Sequence, residues 1–104
     1  MLTVLEPATE AVLAEIVPAD ASQVDAAVAR AKASFPAWRA LTPAARARAL
    51  SDLAAALERH HDELAQLEAR NAGKPIADAR GEMEMVIDTF RYYAGAPERP
   101  GAPA

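Results

Sequence analysis

Two adjacent histidines are the residues of this chain that come nearest to a metal-binding motif. His60 and His61 follow each other directly, so on a helix they point about 100° apart, whereas a shared metal ion favours a pair spaced i, i+4. They stand beside Glu58 and Asp62, where one predicted helix gives way to the next. The pattern therefore favours exposed or helix-capping histidines over a metal site.

Acid–base chemistry would have to come from carboxylates such as Glu82 and Glu84. These residues lie two positions apart in a predicted helix, so their side chains face different sides and do not form a ready pair. Met83 and Met85 divide in the same way, with Met83 on the apolar stripe. The spacing favours solvated carboxylates and a packing role for Met83.

A strong nucleophile and a phosphate loop are both missing from the sequence. The chain has no Cys, which removes a thiol nucleophile, a thiolate metal site and a disulfide framework. Its four glycines, Gly73, Gly81, Gly95 and Gly101, do not assemble into a dinucleotide-binding fingerprint. From the residues alone, we expect no complete catalytic site.

Charge and hydropathy limit the partners of the chain. Lys and Arg number 11 against 15 Asp and Glu, and the net charge is −4. Nucleic acid rewards clustered basic residues, but here they are dispersed among acidic ones. No apolar run approaches membrane-spanning length, and no signal-peptide pattern opens the sequence. We expect a soluble, cytoplasmic protein that binds neither nucleic acid nor membrane.

The apolar spacing predicts a mainly α fold in which an amino-terminal β-hairpin is followed by about four helices. Two short strands within Met1–Pro18 flank a turn at Pro7–Glu10. The first helix is predicted from Ser22 to about Phe35, with Ser22 and Asp25 as a capping box and Pro36 as its stop.

Three further helices follow in the prediction. Thr42 is a good N-cap for the second, which has Pro43 in its first turn and ends near His60. Asp62 is expected to cap the third and Gly73 to close it, and the fourth covers roughly 77–96. We therefore divide the chain into a hairpin and helical segment, 1–96, and a Pro/Gly-rich linker or tail, 97–104.

Five segments, in order, resemble the aldehyde dehydrogenase family. LEPATEAV at Leu5–Val12 is similar to the strand motif containing Asn-Pro-Ala-Thr-Gly, and LEARNAGKP at Leu67–Pro75 to the Gly-Lys-Pro signature. The others are VDAAVARAKASFPAW from Val24, TPAARARAL from Thr42 and FRYYAGAPER from Phe90. The Asn-Ala-Gly-Lys-Pro form and the Phe-Arg-Tyr-Tyr-Ala-Gly stretch look most like the aminobutyraldehyde and betaine aldehyde dehydrogenase branch.

The resemblance implies an amino-terminal segment of an α/β subunit several times longer. That subunit would use NAD or NADP to oxidise aldehydes, including amino-aldehydes, to carboxylic acids, and it would form a homo-oligomer. The catalytic Cys, the Glu that activates water and the Rossmann motifs lie beyond Ala104 in family order. We therefore expect this chain alone to bind no cofactor and to be inactive, and its partner to be the remainder of the subunit.

Two sites are implied by the same resemblance. A structural monovalent cation would be held by the carbonyls of Val4 and Leu5 and by Asn71, where the family more often has Asp. Glu82 and Met85 match the segment that lines the mouth of the family's substrate tunnel, where Glu82 could face a substrate ammonium.

A departure from the family pattern affects the hairpin turn. Glu6 and Ala11 replace the common Asn and Gly around Pro-Ala-Thr, and loss of Gly at Ala11 would weaken a turn that needs positive φ. A function of another class also stays open. The chain could be a small helical binding or assembly module derived from the family, exposing apolar faces to a partner.

Overall fold

The computed structural model describes residues 1–101 as a two-stranded hairpin followed by four α-helices. Strands β1 (Leu2–Leu5) and β2 (Val12–Ile16) precede helices α1 (Ala21–Ala40), α2 (Pro43–Arg59), α3 (His61–Ala72) and α4 (Ile76–Ala94). A 3-10 turn, Ala96–Glu98, follows α4. The predicted fold class is confirmed. Residues 102–104 of the predicted tail lie outside the described residues, and the division at residue 96 stays a prediction.

The hairpin is antiparallel and irregular next to its turn. Leu2 pairs with Ile16 and Val4 with Ala14, but Leu5 pairs with Val12, so the register shifts between Val4 and Leu5. Such a bulge places two residues of one strand against one of the other and leaves ladder groups unpaired. Loss of Gly was expected to matter at Ala11, but the positive φ lies at Glu10, with φ 61°. The backbone N–H groups of Thr9 and Glu10 both donate to the carbonyl oxygen of Glu6 and close the turn.

Helix α1 is longer than the sequence predicts and begins with a different cap. The backbone N–H of Gln23 donates to the side chain of Asp20, and the side chain of Gln23 accepts from the Asp20 N–H, so the capping box belongs to Asp20 and not to Ser22. The helix also continues through Pro36 to Ala40. Its residues are all exposed, so water can satisfy the carbonyl that proline leaves without a donor.

The boundaries of the other helices agree more closely with the prediction. Thr42 caps α2 by accepting from the Ala45 N–H, and Gly73 ends α3 in the left-handed region with φ 72°. Asp62 was wrongly predicted to cap α3, because the helix already begins at His61 and Asp62 lies within its first turn. His60 is the N-cap residue there, without a side-chain capping bond.

The core lies where α4 packs against both α2 and α3. Its buried residues are mostly small: Ala54, Ala65, Ala79, Ile87 and Ala94. Alanine at these contacts lets helix backbones approach closely but contributes little apolar area. No residue of α1 is buried. The core therefore organises α2, α3 and α4, and leaves α1 and much of the hairpin uncovered.

Candidate substrate groove and cation site

The hairpin turn is joined to the end of α3 by two contacts. Arg70 donates from its Nε to Oε1 of Glu6 over 2.6 Å. A Cβ placed on Gly73 would lie 3.2 Å from the Cβ of Pro7, so the turn packs closely against the helix terminus. These contacts fix the position of the first strand relative to α3.

The Glu6 carboxylate is the titratable group that bonds to both sides of this junction. Its other oxygen accepts a hydrogen bond of 2.5 Å from the Thr9 hydroxyl, which in turn accepts from the backbone N–H of Ala11. The Thr9 bond first, and then the Arg70 bond, hold the pKa of Glu6 below its ordinary value of 4.5. The ionised form of Glu6 therefore organises both the turn and its attachment to α3.

The residues of the predicted cation site lie on the two elements that meet at this junction. Val4 is half-buried, whereas Leu5 and Asn71 are exposed. The register shift between Val4 and Leu5 falls at the two positions whose carbonyls were predicted to bind the cation. Asn71 lies between Arg70 and Gly73, which both contact the turn. Oxygen donors of this kind suit a hard monovalent cation.

The predicted substrate-tunnel residues line a groove at the start of α4. The groove has a volume of about 580 Å³, and Asp78, Gly81, Glu82 and Met85 form its α4 side. Lys74 and Pro75 form the side nearest α3. Glu82 and Met85 also border a second, more apolar groove of about 440 Å³. Glu82 and Met85 therefore lie where the first groove, with its charged lining, adjoins the more apolar second groove.

The apolar continuation comes from three further residues of α4, Val86, Thr89 and Phe90. Val86 is 40% exposed and Met85 is 67% exposed, so both offer surface to a ligand or to another part of a protein. The face follows from the helical repeat, since 82, 85, 86 and 89 recur at intervals of three and four. Sequence spacing predicted the Met85 position correctly as lying off the core stripe.

Lys74 is a functional candidate that the sequence did not reveal. Its ammonium donates a hydrogen bond to Oε2 of Glu82 and lies 3.5 Å from Oε1 of Glu68. The bond to Glu82 is the largest cause that raises the pKa of Lys74 above 10.5. Lys74 lies between α3 and α4, so no helical repeat relates it to either acid.

The prediction of exposed or capping histidines holds for the exposure of His60, but His61 is half-buried against α4. The exposed His60 lies 3.0 Å from Glu63, and Nε2 of the half-buried His61 lies 3.0 Å from the carbonyl oxygen of Arg80 on α4. Within residues 1–101, no three His, Cys, Asp or Glu side chains converge as a metal site. Glu84 borders a separate pocket on another side of α4 with His61 and Arg91.

A larger cavity of about 950 Å³ lies between the end of α1, α2 and the 3-10 turn. Its lining combines aromatic residues with Arg39, Arg46 and Arg99. Arg46 donates to the carbonyl of Leu41 at the end of α1, and Arg99 donates to the carbonyl of Tyr92. Both arginines therefore stabilise helix ends, which gives them a structural role.

The hairpin and the four helices define the described residues as a mainly α segment with an amino-terminal β-hairpin. The sequence profile of the Aldehyde dehydrogenase family matches residues 1–102. The chain belongs to this family and corresponds to an amino-terminal segment of its members. The predicted family is thereby confirmed.

Relatives and solved structures agree with this assignment. A betaine aldehyde dehydrogenase of Vibrio vulnificus is 40% identical over 92 residues, which cover 88% of this chain and 19% of that protein. The 4-trimethylaminobutyraldehyde dehydrogenase B of Danio rerio is 38% identical over 92 residues, which cover 88% of this chain and 18% of that protein. The crystal structure of PnpE in complex with nicotinamide adenine dinucleotide superposes with a TM-score of 0.90 at 42% identity.

The PnpE superposition covers 99% of this chain and 22% of that chain. The chain thus spans about a fifth of the length of the curated relatives it matches. Among the helices in residues 1–101, none combines the length and hydropathy that crossing a membrane requires.

Proposed function

We propose that this chain is the opening part of an NAD(P)-dependent dehydrogenase that oxidises aldehydes to carboxylic acids. The observation that carries the proposal is the family match over residues 1–102, supported by the likeness to the NAD-bound PnpE structure. In this view the chain works as part of a longer subunit within a homo-oligomer. The cytoplasmic location, and the lack of nucleic-acid and membrane partners, remain predictions.

The chemistry is divided between this segment and the remainder of the subunit. NAD or NADP accepts hydride from the substrate when bound, but the glycines here do not fit a nucleotide phosphate. Gly73 ends α3, Gly81 lies inside α4 and Gly95 ends α4. With no Cys in the chain, the nucleophile must also come from elsewhere. We therefore propose that the 104 residues alone do not turn over aldehydes.

The groove supports amino-aldehydes as the substrate class. Asp78, Glu82 and Lys74 give its polar end two carboxylates and one ammonium, which leaves a net negative charge. Val86 and Phe90 offer apolar surface beyond Met85. A substrate with an ammonium group and an alkyl chain complements such a surface. Two of the relatives are named for trimethylaminobutyraldehyde and betaine aldehyde, which carry a cationic group.

The cation site is a structural proposal for the same segment. The carbonyls of Val4 and Leu5, with the side-chain oxygen of Asn71, would hold a monovalent cation between β1 and α3. The bulge in β1 and the contacts of the turn with α3 support this proposal. A neutral amide attracts the cation less than a carboxylate would.

The test is aldehyde-dependent reduction of NAD+ or NADP+ by the full-length polypeptide that carries this chain. We expect NADH or NADPH absorbance to rise with betaine aldehyde and with other amino-aldehydes. The isolated 104 residues, purified in the same way, should give no rise. Absence of turnover with any aldehyde in the full-length protein would refute the proposed function.

A further inference from the structure

Lys74 occupies a position between two carboxylates that differ in their surroundings. Glu82 is 51% exposed and borders both grooves, whereas Glu68 lies on α3 and lines neither of them. The Lys74 side chain itself is 27% exposed. One ammonium is therefore shared between an acid that faces the groove and an acid behind it.

We propose that Lys74 sets the preference of the groove for cationic substrates by competing with the substrate for Glu82. The proposal rests on the proposed function, since it concerns the same groove. With Lys74 bound to Glu82, the charge of that carboxylate is largely compensated. When a cationic substrate enters, Lys74 moves to Glu68, and the Glu82 carboxylate becomes available to the substrate.

Glu68 lowers the free-energy cost of this exchange, because it offers the Lys74 ammonium a second carboxylate. Its Oε1 already lies 3.5 Å from the Lys74 ammonium, so a small side-chain rotation converts one ion pair into the other. A flexible four-carbon stem and three rotatable donors suit Lys to such a change of partner. Without Glu68, the ammonium would have to leave Glu82 for water, and the substrate would compete less well.

The experiment compares substrates that differ only in charge. Betaine aldehyde and its neutral isostere 3,3-dimethylbutanal have the same shape, so the ratio of their kcat/KM values reports charge recognition. The full-length dehydrogenase is assayed as wild type and as Lys74→Met, Glu68→Gln, Glu82→Gln and the Lys74→Met, Glu82→Gln double variant. Arg80→Met is the matched control.

Arg80→Met removes the same charge from the same region. Arg80 is an exposed residue of α4 that pairs with Asp62 over 3.1 Å and lines neither groove. It should leave the ratio unchanged, which separates a local effect on Glu82 from a change in overall charge.

Removal of the Lys74 charge and removal of the Glu68 charge should change the kcat/KM ratio in opposite directions. Lys74→Met should raise the ratio about two- to fivefold, the range that an exposed ion pair spans, mostly through a lower KM for betaine aldehyde. Glu68→Gln should lower the ratio by holding Lys74 on Glu82. In the double variant the ratio should fall to that of Glu82→Gln, and added salt should reduce all these differences.

The outcomes separate this inference from the proposed function. If the enzyme oxidises aldehydes but Lys74→Met and Glu68→Gln leave the ratio at its wild-type value, the competition is refuted and the dehydrogenase function stands. An unchanged ratio in Glu82→Gln would likewise remove Glu82 as the shared carboxylate. If no aldehyde is oxidised, both the function and the inference fail.

Discussion

At the residue scale, Glu10 carries the backbone conformation that the hairpin turn needs. Its φ of 61° lies in the left-handed region, which costs a residue with a Cβ roughly 1–2 kcal/mol relative to glycine. Glu6 accepts from the backbone N–H groups of both Thr9 and Glu10, so these bonds close the turn around it. The strained position is therefore held by its neighbours.

We expect Glu10→Gly to raise the free energy of unfolding by about 1 kcal/mol, because glycine adopts this φ without steric cost. Urea denaturation followed by circular dichroism measures the change. Ala11→Gly is the control and should lower stability, since Ala11 gains nothing from the freedom of glycine. Equal effects at the two positions would contradict the assignment of the turn.

A second residue-scale prediction concerns the carboxyl of Glu6, whose pKa is lowered first by the Thr9 hydroxyl and then by Arg70. Because the folded-state pKa is depressed, the contribution of Glu6 to stability is present above its ordinary value of 4.5 and is lost as the pH falls through the folded value. Acid should therefore loosen the junction of the turn with α3 below that pH.

Side-chain carbon chemical shifts measured by NMR across an acid titration test this prediction. The Glu6 pKa should lie below 4.5 in the wild-type chain and move upwards in Thr9→Val and, to a smaller extent, in Arg70→Met. Thr3→Val, a change in β1 away from the junction, should leave it in place. A wild-type pKa at or above 4.5 would show that these bonds do not form in solution.

At the element scale, the packing of α4 depends on alanines at its contacts. Ala79 is fully buried, and Ala77, two residues earlier in the same helix, is exposed. We expect Ala79→Leu to destabilise the fold by about 1–3 kcal/mol, because the larger side chain forces the helices apart. Ala77→Leu should change stability by less than about 0.5 kcal/mol. Urea denaturation compares them, and similar losses would contradict the packing.

Two helix boundaries were predicted correctly from local signals. Thr42 with Pro43, and Gly73 after α3, act through bonds within a few residues of the helix end. Helix α1 was predicted less well, because Pro36 was expected to stop it. A proline inside a helix is tolerated when water satisfies the freed carbonyl, and that depends on exposure that only the fold determines.

The candidate site was predictable in part for a similar reason. Glu82 and Met85 were predicted from the family resemblance, and they share a face of one helix and border the same two grooves. Their role in binding substrate stays a prediction. Lys74 meets Glu68 and Glu82 only through the turn between α3 and α4, and the position of β1 against α3 depends on contacts of Glu6 and Pro7. Such relations between elements leave no periodic pattern in the sequence.

At the scale of the whole molecule, the chain is more extended than a compact domain. Its radius of gyration is 17.8 Å, against about 13 Å for a compact chain of this length. Its accessible surface is 7752 Å², whereas a compact protein of this mass exposes about 5,600 Å². Trp38, Phe35, Tyr92 and Tyr93 are each more than 40% exposed.

Such exposed apolar surface is what a segment of a larger subunit would bury against its remainder. The small module that the sequence left open would use the same surface to bind a different partner. Surface area therefore does not separate the two functions. The size of the polypeptide that carries this chain does separate them.

The most direct measurement is the intact mass of that polypeptide in its native cells, detected by an antibody or by peptides from Val24–Pro75. As part of a dehydrogenase subunit, it should have a mass about five times 11.0 kDa, since the chain covers 19% of a betaine aldehyde dehydrogenase. The full-length form, purified from those cells, should oxidise aldehydes. A stable product of 11.0 kDa as the sole form would contradict the account.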